Sequence, residues 1–128
     1  MSSQRFEATP ESVARVRRFV AESLSTVADR VVDDVVLMAS ELATNAVRHA
    51  GTTYTVAVDD MHGEINVVVT DHGGGLPVRK SPTQAEFTGR GILIVDTLSN
   101  EWGVETSPHA TGVWFRVRRE PAGYDSRA

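Results

Sequence analysis

Three short segments of the sequence carry residue types that could together bind a nucleotide. In the first, Glu41 and Asn45 are four residues apart within a helical pattern, so their side chains lie about 40° apart on one helix face. A carboxylate beside an amide suits Mg²⁺, and the carboxylate could instead orient an attacking hydroxyl group. An exposed polar pair is the commoner meaning of such spacing, so its interpretation depends on the other two segments.

The second segment is Asp71 with the glycines Gly73, Gly74 and Gly75, at the end of a valine-rich strand pattern. Glycine allows a flat ligand to approach the backbone, and a carboxylate at a strand end can accept a hydrogen bond from an exocyclic amine such as N6 of adenine. A flexible turn after the strand is the competing interpretation. The combination favours an adenine site.

The third segment is Gly89-Arg90-Gly91, which opens an apolar run typical of a helix. The free N–H groups and the dipole of a helix N-terminus attract anions, and the glycines let phosphates come close. Arg90, with Arg79 or Lys80 in the preceding loop, could add positive charge. A lone Gly-x-Gly is weak evidence for phosphate, but the three segments together predict a purine nucleotide, most simply ATP with Mg²⁺.

Other nucleotide-binding and metal-binding patterns are absent from the sequence. It has no Gly-x-x-x-x-Gly-Lys-Ser/Thr, and its glycine cluster leads into Leu76-Pro77 instead of a helix, which argues against a P-loop or a Rossmann crossover. The His-Arg-Asp and Asp-Phe-Gly signatures of the common protein kinases are missing. Its histidines show no metal-ligand spacing.

The elements that must position these segments follow from hydrophobic periodicity. The sequence predicts a helix capped by Thr9 with Pro10 at its first position, a helix from Asp29 to Ala50 ended by Gly51, and a helix starting near Gly91. Strands are predicted at 52–58, 64–70, 101–106 and 111–118, with a turn at 59–63. This order implies an α+β fold, a two-layer sandwich in which helices cover one face of an antiparallel sheet.

Composition limits the class of protein. With 128 residues we expect one domain over 1–120, with loose first residues and a disordered tail at 121–128. The net charge of -4 disfavours direct nucleic-acid binding, and the arginines near the C-terminus, Arg116, Arg118 and Arg119, are expected to form a solvated face. There is no cysteine, no membrane-length apolar stretch and no signal-peptide pattern, so a cytoplasmic location is expected.

The order Glu-x-x-x-Asn, Asp-x-Gly-x-Gly, Gly-x-Gly resembles the GHKL (Bergerat-fold) ATPase superfamily, which includes gyrase B, histidine kinases and MutL. ELATNAVRHAG is similar to its N box, DHGGGLP and GRGILIV to its two glycine boxes, and ATGVWF to a later threonine-bearing box. Among the relatives, the chain looks most like anti-sigma factor serine kinases of the SpoIIAB and RsbW type.

This resemblance implies a role for each site residue. Glu41 would be the general base that accepts the proton of an attacking serine, Asn45 the Mg²⁺ ligand and Asp71 the adenine reader. Gly73, Gly75, Gly89 and Gly91 would shape the lid and the phosphate seat, and Thr111 would support the adenine side. Arg90 is added to these nucleotide-binding candidates on account of its positive charge. Histidine kinases usually have asparagine at the position of Glu41, so the carboxylate favours transfer to a hydroxyl or hydrolysis.

The resemblance also implies partners and leaves two alternatives open. The implied activity is that of an ATP-dependent serine/threonine protein kinase, which phosphorylates a STAS-type anti-sigma factor antagonist and holds a sigma factor; homodimers are common in the family. One alternative is a nucleotide-responsive binding module without phosphotransfer, and another is a structural domain with a degenerate pocket. Two features depart from the family pattern: Ala110 stands where glycine is usual, and the lid at 76–88 is short.

Overall fold

The computed structural model describes residues 1–49, 53–72 and 90–119. In chain order the elements are β1 Ser2–Glu7, α1 Ser12–Ser23, α2 Asp29–His49, β2 Thr53–Met61, β3 Glu64–Asp71, α3 Arg90–Leu98, β4 Glu101–Ser107 and β5 Ala110–Arg118. The predicted end of the second helix at Ala50 and Gly51 and the predicted tail at 121–128 lie outside these residues. Within them, every predicted helix and strand is present.

The strands form one antiparallel sheet in the order β1-β2-β3-β5-β4. Alternate residues of the central strands are buried, as in Ile65, Val67 and Val69 of β3, because one sheet face packs against the helices. The core between the layers is rich in valine and includes the ring of Phe115. The predicted α+β two-layer sandwich is confirmed.

The prediction of loose first residues was wrong. Ser2–Glu7 forms the edge strand β1, which pairs with β2 from Ser2↔Val58 to Glu7↔Thr53. Its single large apolar residue, Phe6, is buried and stacks on Tyr54 with ring centroids 5.6 Å apart. A strand with one apolar residue has no alternating pattern to detect, and its pairing partner lies about fifty residues away in the chain.

The predicted N-cap of the first helix was also wrong. The helix begins at Ser12, and Glu11 occupies the N-cap position without a side-chain capping hydrogen bond. Thr9 contributes its carbonyl oxygen, which accepts hydrogen bonds from the backbone N–H of Ser12 (3.0 Å) and from Ser12 Oγ (2.7 Å). The buried Ser12 hydroxyl also bonds to the hydroxyl of Tyr54, whose pKa is raised by burial. A tertiary contact therefore organises this helix start in place of a side-chain cap.

The β2–β3 hairpin is tighter than the predicted five-residue turn. Its turn contains His62 and Gly63, both with positive φ (59° and 79°), while Asp59 and Asp60 remain in β2. Two residues with positive φ match the twist of antiparallel strands. The confirmed hairpin places the C-terminal end of β3, with Asp71, far from this turn.

Two of the three clustered arginines bond to other elements of the fold instead of forming the expected solvated face. Arg116 donates to Asn66 Oδ1 (2.8 Å) and to Glu101, and its guanidinium lies over the Trp114 ring. Arg119 donates to Asp60 and to Thr26, which joins the hairpin to the α1–α2 connection. Arg118 is exposed.

Gly103 of β4 is expected to be intolerant of even one methyl group. A β-carbon there would lie 2.7–2.9 Å from three atoms of the Trp114 indole. Because a rigid ring must then move, Gly103→Ala should reduce the free energy of unfolding by about 1–3 kcal/mol in urea titrations. Gly112→Ala on the same sheet face is the matched control, since its β-carbon would meet nothing closer than Thr70 Oγ1 at 3.5 Å. Equal stability of the two variants would contradict this packing.

None of the helices in the described ranges combines the length and the apolar character needed to cross a membrane.

Candidate functional site

The site is built on the flank of α2. The buried stripe of this helix packs on the sheet and includes Met38, Leu42 and Ala46. Glu41 and Asn45 are partly buried and lie beside that stripe, one turn apart. Their predicted placement on a shared helix face at the edge of the core agrees with the structure.

The start of α3 lies directly against this pair. Gly91 is buried, and a β-carbon placed on it would lie 3.3 Å from both Cβ and Oε1 of Glu41 and 3.5 Å from Nδ2 of Asn45. The absence of a side chain at Gly91 therefore lets the carboxylate and the amide approach the first turn of α3. Glu41, Asn45 and Gly91 come from two separate segments of the sequence, and the structure brings them together.

Asp71 and Thr111 form a second pair, on the central strands. They are direct partners in the β3–β5 register, and Asp71 is also paired with Tyr54 of β2. Asp71 is 9% exposed and continues the two-residue spacing of the buried Val67 and Val69 of β3, which places its side chain on the helix-covered face of the sheet. Thr111 is on this same face because it precedes the buried Val113 by two residues on β5. A carboxylate and a hydroxyl thus lie side by side below the helices.

The next residue, His72, points to the opposite sheet face. Its Nε2 is 2.7 Å from Oγ1 of Thr55, and its backbone N–H donates to the carbonyl oxygen of Thr53 at 3.1 Å. These bonds hold the end of β3 against β2. Asp71 is therefore fixed from both sides, by Thr111 on one neighbouring strand and by β2 on the other.

Several predicted site residues lie outside the residues that the structure describes. Gly73, Gly75, Gly89 and the lid at 76–88 lie outside the described residues, and only the backbone of Arg90 is described, as the first residue of α3. Arg90 and Gly91 thus belong to the first turn, where helix N–H groups lack intrahelical partners. A phosphate at this end of α3 would meet those groups.

The donors of the site suit a hard cation that takes its remaining ligands from phosphate and water. Asn45 and Glu41 supply an amide and a carboxylate, both of which have oxygen donors of the kind Mg²⁺ prefers. No group of three or more histidine, cysteine, aspartate or glutamate residues that could hold a metal ion occurs within 1–49, 53–72 and 90–119.

Tyr54 and Ser12 support the strand that carries Asp71, a role that the sequence did not predict for either residue. Tyr54 is fully buried, lies opposite Asp71 in the β2–β3 register, and is hydrogen-bonded to Ser12 at the start of α1. The pair links α1 to the strand that flanks Asp71. The strand propensity of 52–58 indicated a β-strand but carried no information on register. Without the register, the sequence could not show that Tyr54 lies opposite Asp71.

Comparison with protein-family models identifies the kind of domain that this chain forms. The model for the histidine kinase-like ATPase domain matches residues 6–117. The chain belongs to this family. It is a GHKL superfamily protein, and membership in an ATPase domain family implies that it uses ATP. A search of curated proteins gave no match.

Two solved structures show the same fold as this histidine kinase-like ATPase domain. One contains the RsbU and RsbW domains of Rv1364c from Mycobacterium tuberculosis; it is 19% identical with a TM-score of 0.65, and the match covers 92% of this chain. This chain spans about a third of that longer one (32%). The other is the nucleotide-free catalytic domain of the histidine kinase ThkA, with 18% identity, a TM-score of 0.54 and coverage of 94% and 99% of the two chains.

Gly91→Ala should separate site geometry from folding. The added methyl group would meet Cβ and Oε1 of Glu41 at 3.3 Å, which requires a shift of a few tenths of an ångström between α2 and the first turn of α3, and would touch Asn45 Nδ2 at an ordinary 3.5 Å. Because the phosphates are expected at this turn, we expect ATP affinity measured with Mg²⁺ to fall by about tenfold, or about 1.4 kcal/mol. The free energy of unfolding should change by less than about 1 kcal/mol, because alanine is favoured over glycine within a helix. Thr97→Ala, at an exposed position of α3, is the control. Unchanged ATP affinity in Gly91→Ala would contradict this geometry.

Proposed function

We propose that this ATPase domain is a serine protein kinase that transfers the γ-phosphate of ATP to a small STAS-type anti-sigma factor antagonist. The observation that carries the proposal is the Glu41 carboxylate, held against the first turn of α3 at Gly91. A helix N-terminus attracts phosphate, so a carboxylate beside it lies where a hydroxyl group must arrive to attack that phosphate.

The proposed roles divide between the two pairs of residues. Asn45 would hold Mg²⁺ through its side-chain oxygen, where a bound ion would supply positive charge against the phosphates. Asp71 accepts a hydrogen bond from the adenine amine, with Thr111 beside it on β5. Gly73, Gly75, Gly89 and Arg90 complete the nucleotide contacts together with Gly91.

In the proposed transfer, Glu41 takes the proton of the serine hydroxyl as the serine oxygen forms a bond to the γ-phosphorus. The bond from that phosphorus to the β–γ bridging oxygen breaks, and ADP leaves with the electron pair. The products are phosphoserine, ADP and a protonated Glu41, which then returns its proton to solvent. A neutral amide at this position could not accept that proton.

The regulatory part of the proposal is that the same chain binds a sigma factor when its antagonist is unavailable. Support comes from the fold shared with a chain that contains an RsbW domain, and from the sequence ELATNAVRHAG, which starts at Glu41 of α2. We further propose that 1–120 acts as one domain in the cytoplasm, contacts proteins instead of nucleic acid or membranes, and is able to form a homodimer.

The test is incubation of the purified chain with its cognate STAS-type antagonist and labelled ATP, followed by mass spectrometry of the acceptor. Label on one serine of the antagonist, lost when that serine is changed to alanine, is the expected result. If ATP binds and no serine becomes labelled, the kinase proposal is wrong and a nucleotide-responsive binding module is the better description.

A further inference from the structure

The outer face of α2 carries an exposed leucine one helical turn from Glu41. In the described parts of the chain, the exposed large hydrophobic residues are Met1, Leu37, Met61 and Leu93. Of these, Leu37 is 41% exposed and precedes Glu41 by four residues on the same helix, so the two side chains are neighbours about 6 Å apart along the axis.

One turn further towards the N-terminus of α2 the same face becomes acidic. Asp33 and Asp34 are both exposed, and with Leu37 and Glu41 they form a strip about 12 Å long, from carboxylates through an apolar side chain to the proposed base. Arg30, exposed one turn before Asp34, offsets part of this charge. With Asp29 at the helix start, the first turns of α2 keep an excess of negative charge.

Whatever donates a hydroxyl to Glu41 must cover part of this strip. A general base needs its proton donor within about 3 Å, so the acceptor polypeptide must reach the flank of α2 at Glu41, where the strip ends. Leu37 is the first exposed apolar side chain that such a polypeptide meets in the direction of Asp33 and Asp34. Burying an exposed leucine favours association, and exposed carboxylates favour a basic partner.

We propose that the strip formed by Asp33, Asp34, Leu37 and Glu41 is the docking surface for the phosphoacceptor protein. The acceptor places its serine at Glu41, an apolar side chain about 6 Å away on Leu37, and a basic side chain about 12 Å away at Asp33 and Asp34. This inference rests on the proposed function, because it takes Glu41 as the point where the hydroxyl arrives.

The test compares Leu37→Gln with Met61→Gln, a matched change at a leucine-sized, 51% exposed residue at the hairpin end of β2. Glutamine keeps good helix propensity, so folding of the first variant should be preserved. We expect Leu37→Gln to weaken equilibrium binding of the STAS-type antagonist by about tenfold, with ATP affinity unchanged, while Met61→Gln binds like the unmodified protein. Asp34→Asn, as a single change, should also weaken antagonist binding and should reduce the dependence of that binding on salt concentration.

The outcomes separate this inference from the kinase proposal. If the antagonist becomes phosphorylated but Leu37→Gln binds it as tightly as Met61→Gln does, the docking surface is wrong and the kinase stands. If binding depends on Leu37 as expected but no serine is phosphorylated, the strip binds the antagonist without presenting a serine to Glu41, and the kinase proposal is wrong. Failure of the unmodified chain to bind the antagonist at all overturns the docking surface.

Discussion

Glu41→Gln is expected to lower the rate of phosphate transfer to the antagonist serine by about 10²–10⁴-fold, the usual contribution of a general base. The amide keeps the size and shape of the carboxylate but cannot accept the serine proton. Single-turnover transfer from labelled ATP at saturating nucleotide measures the effect directly. ATP affinity should change little, because the proposed role of Glu41 concerns the hydroxyl and not the nucleotide.

The control for Glu41→Gln is Glu22→Gln, which removes the same charge from an exposed position of α1. Transfer by the control should match that of the unmodified protein. If Glu41→Gln still transfers phosphate at the original rate, Glu41 is not the base. If neither the unmodified chain nor the variants transfer phosphate while both bind ATP, the chain acts as a binding module.

Asp71→Asn is expected to weaken ATP binding by about 10–100-fold, since a hydrogen bond to a charged group contributes about 1.5–3 kcal/mol. GTP affinity should not fall with it, because guanine presents a carbonyl where adenine has its amine, and an asparagine amide can donate to that oxygen. The ratio of ATP to GTP affinity should therefore drop, as measured by calorimetric titration of both nucleotides.

The side chain of Asp71 is buried, so folding must be controlled. Asp59→Asn makes the same change on β2, at a position on the sheet face opposite the helices, and should leave both affinities unchanged. Variants are compared at equal native content judged by circular dichroism. Retention of the full ATP preference in a folded Asp71→Asn would mean that another group reads the base.

The sequence was most informative where structure is decided locally. The helical spacing of Glu41 and Asn45 and the helix start near Gly91 follow from residues within one or two turns, and α2 and α3 are found where they were predicted. That Gly91 packs against Glu41 is a tertiary fact that no local pattern carries. Before the structure, only the resemblance to a known family predicted that these segments form one site.

Contacts between distant strands account for most of what could not be predicted. The pairing of Asp71 with Thr111 depends on β5 lying next to β3, a register across forty residues of chain. The same is true of β1, whose six residues form a strand because the edge of β2 is available. At Thr9 a local capping rule failed since the Ser12 hydroxyl is shared between Thr9 and Tyr54.

The most direct test of the nucleotide site is a crystal structure of the chain with Mg²⁺ and a non-hydrolysable ATP analogue. We predict that the adenine amine donates to a carboxylate oxygen of Asp71 beside Thr111. We also predict the terminal phosphate between Glu41 and the first turn of α3, and Mg²⁺ bound to the side-chain oxygen of Asn45. An analogue bound with its base away from Asp71, or with its phosphates away from Gly91, would contradict the site described above.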